Sequence, residues 1–294
     1  MEIKELKELY LKKKLSSPKI AERLNCSPTF VRNKLREYGI PIRSLKEALL
    51  LSNTPKYPRY NFNGDLKEKA YLIGFRRGDL HAHQARSRTI LVFMSSSKDS
   101  QLKLFKNLFS KYGHIWSGKT KAPDETWELT MCCYLDNTFK FIIDKKDLIE
   151  PWILENRKIF AAFLAGYIDA EGTFCLCKND AVFSVRSQDK NILHQIRIKL
   201  IELGILLRPS QIVRKKGTKD KRGIISNGDI WGIFIHRKDS ILKLIDLIIP
   251  YLKHAKKRKN MEIVKNNILW RNKQYNNQQD RRYYKLYLEE GIKV

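Results

Sequence analysis

The chain has 294 residues, of which 43% are hydrophobic, enough to build the core of one large domain or of several small ones. Lys and Arg number 58 against 31 Asp and Glu, giving a formal charge of +27 that is spread along the chain rather than gathered in one tail. This excess indicates a polyanionic partner, although a lysine-rich proteome would give the same composition.

Cysteine usage and hydropathy exclude several classes of protein. The cysteines are odd in number and contain no C-x-x-C pair, so neither a disulfide framework nor a zinc ribbon is expected. No apolar run reaches the roughly 18 to 20 residues of a membrane span, and the N-terminus lacks a signal-peptide core. We therefore expect a soluble protein of a reducing, intracellular compartment, in the cytoplasm, the nucleoid or an organelle, without membrane contact.

Residues 1–41 read as three short helices that form a domain of their own. Ser17 is expected to cap the second helix, with Pro18 as its first residue, and Pro28 is expected to open the third. The third helix is predicted to bury Phe30, together with the valine and leucine that follow at positions 31 and 35.

The segment SPKIAERLNCSPTFVRNKLREYGI, residues 17–40, resembles the helix-turn-helix of DNA recombinases and bacterial regulators. The resemblance implies that the third helix lies in the major groove. Arg and Asn are well suited to reading base edges. The residues that would then face DNA are Thr29, Arg32, Asn33 and Arg36. A three-helix bundle used only for packing or protein contacts remains an alternative.

Residues 42–66 are predicted to form a basic linker. Prolines and a glycine alternate here with basic and aromatic residues, and no apolar period is present. Contact with a DNA backbone, in which Arg59 would take part, and a merely solvated tether fit this pattern equally well.

From residue 67 the chain repeats one order of elements. Each copy reads as αββαββα, with the first repeat at 67–150 and the second at 151–265, followed by a basic C-terminal extension at 266–294. The predicted fold class is therefore α+β, with two pseudo-symmetric repeats and a small all-α domain.

A nine-residue string carries the strongest signal. Residues 164–172 read LAGYIDAEG, in which small side chains recur on one helix face. They are Ala165, Gly166 and Ala170. Because glycine inside a helix costs about 1 kcal/mol relative to alanine, another backbone must approach this face closely. Glu171 then stands at the helix C-terminus, where the macrodipole disfavours an anion and Gly172 is a natural left-handed cap, so a cation is expected nearby.

The first repeat holds a weaker copy. Residues 72–80 read LIGFRRGDL, which keeps Gly74, Gly78 and the penultimate acid, Asp79. Arg77 replaces the earlier acid, and Leu80 replaces the closing glycine, which makes the local turn geometry an open point.

Together the two strings resemble the single-chain LAGLIDADG homing endonucleases. The resemblance implies saddle-shaped antiparallel sheets that straddle double-stranded DNA, and two packed motif helices that bring Asp79 and Glu171 together. It implies Mg²⁺ as cofactor, with Mn²⁺ or Ca²⁺ as possible substitutes, since hard carboxylate oxygens hold such ions. It further implies double-strand cleavage with 3′ overhangs at a long, pseudo-palindromic or asymmetric site, by a monomer without a protein partner.

The same family places a lysine near each scissile phosphate, after the last helix of the repeat. Lys145 is the first choice in the first repeat. In the second repeat the choice stays open among Lys253, Lys256 and Lys257.

Polar side chains on the predicted strands and hairpins are expected to contact DNA. They are Gln84, Arg86, Arg88, Ser95, Gln188, Arg214, Lys215 and Lys216. His81 and His83 share one face of a strand, where they would chelate a metal or contact a phosphate or a base.

Two other functions remain open at this point. Because Arg77 and Leu80 depart from the motif, a non-cleaving regulator or an intron RNA maturase of the same fold is the alternative to a nuclease. An intein is disfavoured, because the chain begins with Met and lacks a terminal His-Asn pair.

Overall fold

A computed structural model describes residues 2–44, 47–48, 57–86, 89–121, 125–220 and 223–274, without the side chains of Arg86 and Gln274. The chain divides into two compact units, Met1–Pro58 and Arg59–Val294. Arg88 lies outside the described residues. So do part of the predicted linker at 42–66 and the predicted C-terminal extension from residue 275 onward.

Residues 2–41 of the smaller unit form three helices around one small core. They are α1 (Ile3–Lys7), which continues into a π-helical turn (Glu8–Lys12), α2 (Ser17–Arg23) and α3 (Pro28–Glu37). Ser16, not the predicted Ser17, caps α2, because its hydroxyl accepts the Lys19 amide at 3.5 Å. The predicted burial of Phe30 is also wrong: its side chain is 44% exposed, since the buried stripe of α3 is formed by Val31 and Leu35.

The first repeat opens the larger unit. Its elements are α4 (Leu66–Arg76), β1 (His81–Arg86), β2 (Thr89–Ser96), α5 (Asp99–Phe109), β3 (Ile115–Lys121), β4 (Trp127–Asp136) and a 3-10 helix (Asn137–Ile142). The side chain of Asp65 caps α4 by accepting the Glu68 amide at 2.8 Å. The last helix of this repeat is a 3-10 helix rather than an α-helix. The Asp136 carboxylate caps its N-terminus by accepting the Thr138 amide.

The second repeat follows the same order after a short leading helix. Its elements are α6 (Pro151–Glu155), α7 (Arg157–Glu171), β5 (Gly172–Cys177), β6 (Asp180–Ser187), α8 (Lys190–Glu202), β7 (Gln211–Arg214), β8 (Ile230–Ile235) and α9 (Lys238–Ile248). A long helix, α10 (Ala255–Gln274), comes last. It runs without a break across the predicted boundary between residues 265 and 266, and its Ile268 is buried in the main core.

Each repeat contributes one antiparallel four-stranded sheet. Sheet A has the order β1-β2-β4-β3, and sheet B has the equivalent order β5-β6-β8-β7. One face of each sheet packs on helices, with Val92 of sheet A and Phe183 of sheet B fully buried. The predicted α+β fold with two pseudo-symmetric repeats is confirmed.

Helices α4 and α7 cross at the centre of the larger unit and form its most extensive helix contact within the described part of the chain. A Cβ atom on Gly74 would overlap the Phe163 carbonyl oxygen, and one on Gly166 would overlap the Tyr71 carbonyl oxygen. Phe163 and Tyr71 are equivalent positions of the two repeats. The glycines therefore let two backbones touch across a local pseudo-twofold axis.

The chain just before α4 is packed rather than extended into solvent. The Phe62 ring contacts the rings of Tyr112, Phe139 and Phe141, and the Tyr60 amide donates to the Tyr112 carbonyl. Residues 59–65 therefore belong to the larger unit. None of the described helices combines the length and apolarity that crossing a membrane requires.

Candidate active site

The two motif helices end side by side and present one acid each. A Cβ atom on Gly78 would lie 2.5 Å from the Ala170 Cβ and 2.6 Å from a carboxylate oxygen of Glu171, so the missing side chain leaves room for that carboxylate. Asp79 follows Gly78 directly and lines an adjoining pocket of about 230 Å³. The acids predicted from the two strings thus stand together at the base of the α4–α7 contact.

Both carboxyl groups have raised pKa values because the surrounding protein desolvates them, although Asp79 is exposed and Glu171 half-buried at the surface. For Glu171, burial and then the nearby charge of Asp79 raise the pKa to about 7, against opposing effects of Lys257 and Lys145. For Asp79, burial raises the pKa, and Lys257 is the largest influence that lowers it. A carboxyl group whose charge is destabilised by desolvation and by a neighbouring acid, as in Glu171, favours a bound cation.

Asp79 has a neighbour that the sequence did not single out. The Gln101 side-chain amide, buried on the first turn of α5, donates to Asp79 Oδ2 at 2.6 Å. This bond occupies one carboxylate oxygen and fixes its orientation. Counting from the N-caps Lys98 and Asp189, the equivalent position in the second repeat is Ile192, so only one of the two acids has such a partner.

Lys257 is the lysine whose charge most strongly lowers the pKa of both acids. Its ammonium donates to the carbonyl oxygens of Ile168 at 2.7 Å and Ala170 at 2.9 Å, at the C-terminal end of α7. Burial lowers its pKa to about 8, while Asp169 and then Asp79 and Glu171 hold it up. The cation expected at this helix end is therefore, at least in part, a side chain of the protein itself.

The other lysines take different places. Lys256 and Lys98 line the Asp79 pocket. Lys145 lies close enough to Asp79 and Glu171 to lower the pKa of both. Lys253 points elsewhere, because its ammonium stands 4.4 Å from the centre of the Tyr71 ring.

His254 lines the same pocket and was not predicted. Its side chain is buried, its Nδ1 accepts the Lys257 amide at 3.3 Å, and burial together with Lys257 lowers its pKa to about 4. It is therefore neutral at physiological pH.

The departure at Arg77 has a structural explanation. In the second repeat, Asp169 Oδ2 accepts the Lys253 amide at 2.8 Å and the His254 amide at 3.1 Å, which holds the segment after the last helix of that repeat. In the first repeat, Arg77 donates to the carbonyls of Lys146 and Leu148 in the equivalent segment. Both residues hold the closing segment of their repeat, Asp169 as a hydrogen-bond acceptor and Arg77 as a donor. The acid that Arg77 replaces therefore has a structural role in the second repeat.

The departure at Leu80 also has a structural explanation. Gly172 has φ −77° and ψ 155°, an extended conformation, so the prediction that it forms a left-handed cap is wrong. Glycine is needed there because a Cβ atom would lie 2.7 Å from an Ile168 methyl carbon. Leu80 is buried, is not among the described residues of positive φ, and its carbonyl accepts from Arg76 at 2.7 Å.

The predicted DNA contacts lie on several surfaces. Thr29, Arg32, Asn33 and Arg36 are all exposed on α3, and the Arg36 guanidinium donates to the Asn33 side chain at 3.3 Å. Gln84 pairs with the buried Ile90 and so sits on the helix side of sheet A, whereas Ser95 is exposed on the opposite side and lines the Asp79 pocket.

The remaining predicted contacts come mostly from sheet B and its loops. Gln188, Lys215 and Lys216 are exposed just beyond strand ends, and Arg214 pairs with Ile230. Arg59 is engaged within the protein, where its guanidinium donates to the Thr89 hydroxyl. Arg86 is placed on β1 by its backbone, which pairs with Thr89.

Comparison with known families gives one match. Residues 159–244 match the LAGLIDADG-like domain, from the start of the α7 motif helix into α9. The match covers less than a third of the chain and lies within the second repeat. It includes Glu171 and sheet B, while the first repeat is recognised by its equivalent order of elements. No curated protein sequence matches the chain.

Solved structures with the LAGLIDADG-like arrangement are similar at low identity. The homing endonuclease I-WcaI bound to its DNA recognition sequence is 16% identical, with 67% of this chain and 86% of that chain covered and a TM-score of 0.48. I-DmoI in complex with DNA and Mn is 17% identical, covering 63% and 97%, with a TM-score of 0.40. Full-length DUF199/WhiA from Thermatoga maritima is 14% identical, covering 79% and 68%, with a TM-score of 0.47.

The donor set of the LAGLIDADG-like site fits a hard divalent ion. Asp79 and Glu171 offer carboxylate oxygens, and no group of three or more Asp, Glu, His or Cys side chains that could enclose a metal occurs among the described residues. Mg²⁺ commonly uses one or two carboxylates and completes its shell with water and substrate phosphate. His81 and His83 lack a third ligand there, and both rings pack against Phe93.

Proposed function

We propose that this protein is a divalent-metal-dependent endonuclease that cuts both strands of double-stranded DNA at a specific site, as homing endonucleases do. The observation that carries the proposal is the pair of acids, Asp79 and Glu171, which arrive side by side from equivalent helix ends next to the pocket that Asp79 and Lys257 line. A pair of acids that served only as solvated helix ends would not be expected to have raised pKa values.

Asp79 and Glu171 would hold the ion, with Mg²⁺ the expected species and Mn²⁺ or Ca²⁺ as substitutes. Such an ion polarises a phosphodiester and lowers the pKa of a bound water, which is the chemistry that hydrolysis needs. Gln101 donates to Oδ2 of Asp79 and would hold this carboxylate in a fixed orientation for binding the ion. Both carboxylates must be ionised to bind, so metal affinity should rise with pH through about 7.

Lys257 and Lys145 would act on the substrate. Lys257 is held by two carbonyls close to both acids, so its ammonium is placed to offset negative charge that develops on the scissile phosphate. Lys145, which belongs to the first repeat, also lies close enough to both acids to lower their pKa values, and it would act on the phosphate in the same way. Lys256 lines the same pocket and would contact the backbone of a bound duplex.

Recognition would extend beyond the two repeats. The outer faces of sheets A and B and the exposed basic loops at Lys215 and Lys216 would follow a duplex whose phosphates the net charge of +27 attracts. In the smaller unit, α3 would enter a neighbouring major groove with Arg32, Asn33 and Arg36 toward the bases. A single chain with two repeats and an added helical unit would thus read a long, asymmetric site as a monomer.

The test is cleavage of a randomised plasmid library in Mg²⁺, with sequencing of the cut ends. We expect one long consensus and 3′ overhangs, and no cutting in EDTA. Asp79→Asn and Glu171→Gln should abolish cutting while binding to the selected site is kept, whereas the exposed control Glu262→Gln should cut normally. Cutting that persists in both acid variants would contradict the proposal. So would binding to DNA without any cutting of the library.

A further inference from the structure

The outer face of sheet A, the face turned away from the helices, is unusually rich in rings. Strand register places two cross-strand rows side by side on it. The first row contains His81, Phe93, Cys132 and Trp116, and the second contains His83, Leu91, Tyr134 and, just before β3, His114. Trp116 is 41% and Tyr134 is 42% exposed, so the rows are not covered within the described part of the chain.

The rings support one another along the rows. The His81 ring stacks on Phe93 with centroids 4.9 Å apart, and the His83 ring meets Phe93 edge-on at 6.0 Å. Across the sheet, the His114 and Trp116 rings meet edge-on at 4.8 Å. Held in this way, the rings form one continuous surface rather than a set of separately moving groups, and Phe93 is its purely apolar ring.

The equivalent face of sheet B has a different chemistry. Its row equivalent to His81 and Phe93 contains Thr173, the buried Ser184 and Phe234, and its row equivalent to His83 and Leu91 contains Cys175 and Val182. The next row contains Arg186, Gly232 and Gln211, where sheet A has Ser95, Thr130 and Gly118. Sheet B therefore carries fewer rings than sheet A and adds a guanidinium and an amide. The two faces, although related by the repeat, are suited to different ligand surfaces.

The ring face of sheet A is continuous with the active-site pocket. Ser95 lies on the same face of β2, one step beyond Phe93, and lines the pocket beside Asp79. Its hydroxyl bonds to the Thr130 hydroxyl at 2.6 Å, which carries the surface onward to β4. A duplex with its scissile phosphates at Asp79 and Glu171 would thus lay one half of its site against these rings.

We propose that sheet A reads its half of the DNA site through the methyl groups of thymine, whereas sheet B reads the other half by hydrogen bonds. This inference rests on the proposed function. In the major groove the thymine C5-methyl is the apolar group that a Phe side chain contacts, while G·C pairs present donors and acceptors that the Phe93 ring would leave unpaired. The half-site at sheet A is therefore rich in thymine.

The test removes only the methyl group. After a site has been selected, each thymine is replaced by uracil in turn, and affinity of the wild-type protein is measured by fluorescence anisotropy in Ca²⁺. Burial of one methyl predicts binding about three- to fivefold weaker per sensitive thymine. The sensitive positions should cluster in one half of the site, and replacing thymine by uracil in the other half should change affinity less than twofold.

A protein variant then assigns the effect to sheet A. Phe93→Ser should remove most of the discrimination between thymine and uracil, while the matched change Phe234→Ser in sheet B should leave it intact. The uracil series needs no variant, so it decides the question even where Phe93→Ser fails to fold.

Each remaining outcome has a definite meaning. A protein that binds and cuts its selected site without any thymine–uracil discrimination would overturn this inference and leave the nuclease proposal standing. Preference for unpaired bases over a duplex would also overturn it, because the rings would then serve for stacking. Failure to bind any DNA would instead refute the proposed function.

Discussion

Removing the charge of Glu171 should make the larger unit more stable. Burial and Asp79 hold the pKa of this carboxyl at about 7 in the folded protein, against 4.5 as its ordinary value. Folding therefore disfavours the ionised form, so the stability linked to this group is complete below about 4.5 and is lost as the pH rises through about 7. The difference corresponds to at most about 3 kcal/mol, and partial solvent access reduces it to about 1 to 2 kcal/mol.

Glu171→Gln keeps the shape of the side chain and removes the charge. In EDTA at pH 8, we expect its melting temperature to exceed that of the wild type by about 2 to 8 °C, and the gap to close at pH 4.5. Near-ultraviolet circular dichroism during heating measures the transition, and Glu262→Gln on the exposed face of α10 is the control. A saturating concentration of Ca²⁺ should stabilise the wild type but not Glu171→Gln. Equal or lower stability of the variant at pH 8 would refute the reasoning.

Three further changes probe the centre of the unit. Gly74→Ala should destabilise the larger unit by about 2 to 3 kcal/mol in urea unfolding because its Cβ meets a backbone, whereas Gly118→Ala, with nothing within 4 Å, should be neutral. Lys257→Met should slow cleavage at least about 100-fold, and Lys256→Met much less; equal losses would contradict the assignment to Lys257. Gln101→Leu should raise the Ca²⁺ concentration for half-maximal binding about tenfold by calorimetry, and an unchanged titration would exclude its positioning role.

The sequence was sufficient for the repeat and for the two acids because both depend on local pattern. Small residues at helical spacing demand a close partner, and an acid at a helix end demands a cation, wherever the rest of the chain goes. Gly74 and Gly166 do meet the opposite backbones, and Asp79 and Glu171 do come together. Their assignment as metal ligands stays a prediction.

What the sequence could not supply depends on distant parts of the chain. The role of Arg77 is set by carbonyls about 70 residues further on, and Gln101 becomes visible only when α5 packs beside the motif turn. The choice of Lys257 over Lys253 follows from where α10 begins, which turns the two side chains to different sides of the α4–α7 contact. The prediction placed Phe30 in the core because the apolar pattern of α3 also fits a buried face one residue wider than the face that the helix actually buries.

The opposite polarities of Arg77 and Asp169 limit how this protein can be rebuilt. A chimaera that joins two copies of the second repeat would bring two acids where the natural chain has one acid and one guanidinium, and only a segment with free amides could satisfy the second. A transplanted first repeat must likewise carry residues 144–150, whose carbonyls Arg77 requires. The two halves are therefore not interchangeable. A redesigned or transplanted half must keep its own closing segment.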